Sequence, residues 1–295
     1  MAFILNFIMT VFYTVSLFFF ADIAWTANTV HSWIVTIGQL MSRLGIGKGK
    51  VPRSRDNPFG FSGRFYFFYH VVSVIFLSCG AFYSLMSGII ALRRPAAVAQ
   101  ELSWHFGLFG LAVSLTVFVS YIFFHFCARL RGPMTLLAFV RKSKNVDLIT
   151  TLLQETGLLI TIFLAVFSAI VKHTGYWLRM DGVAAVMIGM VMLGSAVVSG
   201  LKMQDLLIGE SADLSVIKRM YALLQKEEWI KEIVDLHSVQ LDEDSILLAI
   251  KAVFNDQLSS SELNSLINGI EKDIQLECDH VKRVFFYQAP VTLGL

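Results

Sequence analysis

Six stretches of the chain are apolar for about the 20 residues that a helix needs to cross a bilayer. They fall at about residues 2–20, 27–44, 66–92, 106–128, 148–171 and 182–201. The second is the most interrupted, with His31, Ser32, Thr36 and Gln39 inside it. Only residues 22–26 separate the first two, which makes that connection tight. From Gly209 onward the pattern changes. Leu214, Ile217, Met220 and Leu224 recur at helical spacing. Residues 234–241 alternate as a strand does, and Asp242, Glu243 and Asp244 supply the turn after it. Residues 245–254 form a second strand, apolar enough to be buried over most of its length. Ser259-Ser-Ser-Glu262 is a capping box, in which hydroxyl and carboxylate satisfy the free N–H groups of a starting helix. Leu263, Leu266, Ile267, Ile270 and Ile274 make one face of that helix, and residues 282–287 a third strand.

The order α-β-β-α-β predicts a ferredoxin-like layer of helices on one sheet. At roughly 85 residues such a domain holds a modest core, and pairing with a second copy would help to bury it. The chain is therefore expected to be an α-helical membrane protein, with six transmembrane helices over residues 1–208. A small cytoplasmic α+β ferredoxin-like domain is expected over residues 209–295.

Composition sharpens this division. Of 295 residues, 56% are hydrophobic and 16% charged, and the mean hydropathy of +0.65 is too high for a soluble domain of this length. The 25 Phe and 11 Met crowd into the first two-thirds, whereas Asp and Glu concentrate after position 204. A net charge of +2 gives no basis for binding nucleic acid. Cys79, Cys127 and Cys278 form no CxxC pair and no even disulfide framework. The N-terminus lacks the basic start and small-residue cleavage site of a signal peptide, so it reads as the first span. No nucleophile–base pattern, Gly-rich phosphate loop or HExxH string marks an enzyme.

Basic residues orient the spans. Lys48, Lys50, Arg53, Arg55 and Arg64 lie between the second and third, and Arg129, Arg131, Arg141, Lys142 and Lys144 between the fourth and fifth. The opposite-side loops hold only Arg93, Arg94, Lys172 and Arg179. The bias puts both long basic loops in the cytoplasm, and six spans then put both termini there too.

Several strings carry a resemblance. Ala27-Asn-Thr-Val-His-Ser32 is similar to Ala-Glu-Ala-Ile-His-Ser, and Asn57-Pro-Phe-Gly-Phe61 to His-Pro-Phe-Gly-Tyr. Leu206-Leu-Ile-Gly-Glu210 with Ala212-Asp213 follows the sixth span, and Val234-Asp-Leu236 and Val281-Lys-Arg-Val-Phe285 lie in the tail. In this order they resemble the cation diffusion facilitator (cation efflux) family, and within it the zinc transporter 9-like branch. The resemblance implies proton-coupled efflux of a divalent cation, with Zn, Mn, Fe or Co left open as the substrate and no prosthetic group. It also implies a dimer in the lipid bilayer, either of identical chains or with a related transporter.

In that family the metal ligands are paired one helical turn apart on the second and fifth spans, where two such pairs form a cage. The resemblance carries over His31 on the second span, but Val35 stands at its partner position. On the fifth span it carries over Glu155, with Thr151 one turn before and Gln154 beside it as weaker oxygen ligands. An intramembrane carboxylate needs a polar partner or a wet cavity, so Glu155 is either functional or a structural hydrogen-bonding group. His31 is either a ligand or a histidine bonded to its neighbours. Because two ligand positions are altered, a transport-silent subunit paired with an intact paralogue, or a membrane scaffold, is the other reading.

Among the remaining polar groups, Asp22 is expected to be solvated at a loop tip, Asp181 to cap its own helix and His125 to sit at an interface. His237, Asp242, Asp244, Cys278, Asp279 and His280 are candidates for a regulatory metal, although adjacent residues rarely converge on one ion. Gly182, Gly189, Gly194 and Gly200 suit close helix packing.

Overall fold

The computed structural model describes residues 2–19, 22–49, 62–94, 105–135, 138–140, 146–174, 177–209, 211–242, 245–255 and 257–289. Lys50, Arg53, Arg55, Arg141, Lys142, Lys144, the string from Asn57 to Phe61, Glu210, Glu243 and Asp244 lie outside the described residues. The chain divides into two compact units, Met1–Met203 and Gln204–Leu295.

Six helices lie over the six apolar stretches: α1 (Ala2–Ser16), α2 (Ile23–Gly49), α3 (Ser62–Arg93), α4 (His105–Arg131), α5 (Val146–His173) and α6 (Met180–Ile208). Four of them are long and apolar enough to cross a membrane, over Val71–Arg93, Gly107–Arg131, Leu148–Lys172 and Met180–Lys202. Exposed Phe82, Phe118, Phe163 and Met190 on these helices form the apolar outer surface that a bilayer covers. The architecture is that of a multi-pass membrane protein. The remaining two helices differ for separate reasons. α1 is apolar but has 15 residues, a rise of about 22 Å against a hydrocarbon core of about 30 Å. α2 has 27 residues but carries Asn28, Thr29, His31, Ser32, Thr36 and Gln39, all of them buried. It packs against α1, α3 and α5, and so its polar groups face protein.

The helix ends follow local chemistry. α4 stops where Gly132 takes a φ of +59° ahead of Pro133, and α6 is followed by Gly209 at a φ of +88°. Only glycine adopts that conformation without strain, and it closes the last turn. Between α3 and α6 the backbones nearly touch. A Cβ on Gly182 would lie 2.9 Å from the Gly88 carbonyl oxygen, and one on Gly189 would lie 3.0 Å from that of Ala81. Gly194 differs from the expectation, since a Cβ there would meet nothing within 4 Å.

The second unit contains α7 (Leu214–Leu224), β1 (Ile230–Asp242), β2 (Ser245–Phe254), α8 (Ser260–Glu277) and β3 (Val281–Gln288). Its sheet is three-stranded and mixed, in the order β1-β2-β3. β1 pairs antiparallel with β2, and β2 pairs parallel with β3, with Ile246 opposite Val281 and Leu248 opposite Val284. A parallel pair requires a crossover, and α8 is that crossover. β2 is central, and its side chains alternate: Ile246, Leu248, Ile250 and Ala252 are buried, whereas Leu247 and Ala249 are half-buried. Met220 and Leu224 from α7 and Ile270 and Ile274 from α8 join them in one core. Trp229, Phe254 and Phe286 pack ring against ring in the same core. The capping box is present, with the Ser259 hydroxyl and backbone N–H both donating to Glu262 Oε2, at 2.6 and 2.9 Å.

Two outcomes follow from this packing. Gly182→Ala must push α3 and α6 apart and is expected to cost about 1–3 kcal/mol in detergent melting. Gly194→Ala, on the same helix with open space around it, should melt at or above the wild-type temperature. At α8, the Ser259 bonds hold the Glu262 carboxyl below its usual range. This contribution is complete above the pKa of the unfolded chain and is lost as pH falls through the folded value. Hydrogen-exchange protection in the first turn of α8 should therefore fall on acidification. Ser259→Ala should remove about 1 kcal/mol of helix stability and reduce that pH dependence, leaving the part carried by the backbone N–H of residue 259.

Candidate functional site

The polar residues of the membrane unit meet where α1, α2 and α5 come together. Along α2 the partners on α5 run backwards. Asn28 and His31 meet Thr161, Gly38 lies beside Gln154, and Gln39 meets Glu155. α1 closes the third side. Thr10 Oγ1 lies 2.6 Å from Ser32 Oγ and 2.8 Å from Thr36 Oγ1, and the Trp33 indole N–H donates to Thr14 Oγ1 at 2.9 Å. Tyr13 shares a hydrogen bond with Thr116 of α4. The sequence scatters these groups through apolar runs, and each is the polar position of a helix whose other faces are apolar.

Glu155 is fully buried. Its Oε1 accepts from Asn6 Nδ2 at 2.5 Å and from Gln39 Nε2 at 3.1 Å, while Oε2 has no hydrogen-bond partner. Among the described residues no lysine or arginine pairs with it. The amide oxygens of both donors, Asn6 Oδ1 and Gln39 Oε1, are likewise buried and without a partner. Three acceptor oxygens on three touching residues thus lack a donor, where buried oxygens ordinarily have one.

His31 occupies a different station. Its Nδ1 lies 3.2 Å from Thr161 Oγ1. That hydroxyl can donate to Asn28 Oδ1 at 2.8 Å or to the Leu158 carbonyl at 3.2 Å. When it does, its lone pair faces the imidazole and Nδ1 carries the proton; in the other tautomer the hydroxyl donates to Nδ1. Nε2 is buried without a partner among the described residues. The ring fits because residue 157 is glycine: a Cβ there would stand 2.9 Å from His31 Cε1. Gly157 and Glu155 are about 200° apart around α5, and His31 and Gln39 about 12 Å apart along α2.

The four residues singled out from the sequence are placed differently from one another. His31 contacts Thr161 and the Gly157 face of α5, and Glu155 contacts Asn6 and Gln39. Gln154 turns to α3 and donates to Ser73 Oγ at 3.4 Å. Thr151 is half-buried one turn before Glu155. Among the described residues no three His, Cys, Asp or Glu groups lie together as metal ligands do. Asn6 was missed in the sequence, although it is the one amide in the first apolar run. Gln39 registered only as an interruption.

A second polar cluster lies at the start of α2. Asp181 sits in the first turn of α6, yet it does not cap that helix. Its carboxylate accepts from the backbone N–H groups of Ile23 at 2.9 Å and Ala24 at 2.8 Å, capping α2 instead. The free N–H groups and positive dipole end of α2 draw it across. Asp22, expected to be solvated, binds Lys172 at 2.6 Å, and the same ammonium lies 3.6 Å from Asp181. Lys172 is buried rather than a free loop cation. In the second unit His237 pairs with Asp235 at 2.9 Å and Cys278 is buried, and among the described residues no three of the tail candidates gather as metal ligands do.

Comparison with protein-family models and with curated proteins finds no match to the chain. Asp181→Ala should uncap α2 and lower stability by about 2 kcal/mol, seen as a lower melting temperature in detergent. Asp181→Asn keeps one acceptor and should lose less. Wild-type melting in the alanine variant would show that the cap contributes nothing.

Proposed function

We propose that the chain is a proton-coupled transporter that moves a divalent metal cation out of the cytoplasm, related in mechanism to the cation diffusion facilitators. In this reading all six helices cross the bilayer, both termini are cytoplasmic and two chains associate. Zinc, manganese, iron and cobalt are the substrates to test.

Glu155 carries the reading. A carboxylate in the interior of a membrane bundle costs about 2.5–3.5 kcal/mol on insertion scales, and such groups mark ion and proton pathways. This one is fully buried, with neutral amides as its hydrogen-bonding partners and one oxygen uncommitted. Its negative charge can be neutralised by a proton or by a metal cation, and one displaces the other. That exclusion is the coupling: protonation on the far side releases the ion, and deprotonation on the cytoplasmic side restores the site. His31, with Nε2 free, offers a second station further along α2 for the proton or the ion.

A second reading is favoured by Val35. It stands one turn after His31, is fully buried, and packs in the core where a ligand would be needed. A transport-silent subunit that pairs with an intact relative, or a membrane scaffold, would show that substitution.

Proteoliposomes under an imposed pH gradient separate the two. Wild type should take up at least one of Zn²⁺, Mn²⁺, Fe²⁺ and Co²⁺, and Glu155→Gln should reduce uptake to that of empty liposomes. Dissipating the pH gradient should slow the wild type alone. Absence of flux for every metal from well-folded protein, with a second transporter subunit recovered from native membranes, would favour the silent partner.

A further inference from the structure

We infer that the transported cation is held by oxygens from three helices, Glu155 of α5, Asn6 of α1 and Gln39 of α2. The site therefore takes a hard divalent cation, of which Mn²⁺ is the type, and lacks the nitrogen and sulfur donors from which Zn²⁺ gains most. This rests on the transport reading above and adds to it two ligands and a donor preference.

The argument begins with the three orphaned oxygens. Glu155 Oε2, Asn6 Oδ1 and Gln39 Oε1 are buried without a donor, and their residues are joined through one atom, Glu155 Oε1. Asn6 and Gln39 are almost wholly buried, so water does not satisfy them at the surface. A group that supplies no hydrogen bond but attracts several oxygens at once is a cation. The two amides are suited to alternate. With the carboxylate ionised and alone, each turns its N–H toward Oε1, as observed. A half-turn about the terminal torsion exchanges N–H for C=O, which then faces an ion beside the carboxylate. The same turn lets one amide oxygen accept from the protonated carboxyl. The site can thus satisfy its hydrogen bonds or its coordination in the ionised, protonated and ion-bound states.

The donor set decides the preference. Zinc favours imidazole and thiolate nitrogen and sulfur, whereas carboxylate, amide carbonyl and water suit manganese and magnesium. His31 is turned to Thr161 and Gly157, a separate station, so imidazole is not part of this set.

The test uses the full-length protein, purified in detergent and reconstituted in liposomes, with Mn²⁺ as the probe followed by its paramagnetic resonance. Wild type should bind Mn²⁺, and Zn²⁺ should displace it with only the modest advantage that oxygen ligands give it. Asn6→Leu, which keeps the branched heavy-atom skeleton, and Gln39→Met, similar in length to glutamine, should each weaken Mn²⁺ binding on the order of tenfold or more. Asn6→Asp, which keeps the shape and adds a charge, should tighten it and guards against a leucine variant that fails to fold. Unchanged Mn²⁺ affinity in folded Asn6 and Gln39 variants, or a large Zn²⁺ advantage that His31→Ala removes, would overturn the inference. Flux separates the two levels. If Glu155→Gln stops transport while the amide variants transport normally, only the ligand set fails. If Glu155→Gln transports as wild type does, the transport reading fails with it.

Discussion

A carboxylate at the centre of an apolar bundle organises the membrane unit, because a charge in that place must be met by something. At Glu155 two amide N–H groups from two other helices meet it. Hydrogen bonds to a charged group contribute about 1.5–3 kcal/mol each. The pair therefore offsets an insertion cost of about 2.5–3.5 kcal/mol. The same bonds join α1, α2 and α5 at one point, so the buried carboxylate also ties the helices together. Removing either amide leaves a buried acceptor as well as loosening a helix.

The helix between the others follows the same logic. α2 is surrounded by α1, α3 and α5, and its polar face is spent on protein partners rather than lipid. One end is capped by Asp181 from α6, next to the Asp22–Lys172 pair. Further along come the Asn28–Thr161–His31 chain, the hydroxyls of Ser32 and Thr36, and Gln39. Polar groups thus recur along the length of α2 inside the bundle. α3 and α6, whose backbones touch through glycines, contribute rigidity instead.

The second unit shows how much is written locally. Its capping box, the apolar faces of α7 and α8 and all three strands follow from spacing in the sequence, with β1 beginning earlier than its alternation indicates. Helices lie over all six apolar stretches, and four of them have the length and apolarity that a bilayer selects. That α2 would be the least apolar of the longer helices was visible too, and His31, Ser32, Thr36 and Gln39 are the reason. The cluster around Glu155 was legible only in part. Asn6 gave no periodic signal, and a single amide in an apolar run does not say which helix it will meet.

The sequence by itself determined where helices and strands lie, because backbone hydrogen bonding and side-chain period are settled within a few residues. It determined that a carboxylate and a histidine would lie within apolar segments. Only the tertiary structure decided which groups meet: Glu155 with Asn6 and Gln39, His31 with Thr161, and Asp181 with the start of another helix. Helix rotation and pairing depend on the packing of every face against every neighbour. A run that is apolar nearly all round carries no local instruction about which face turns inward.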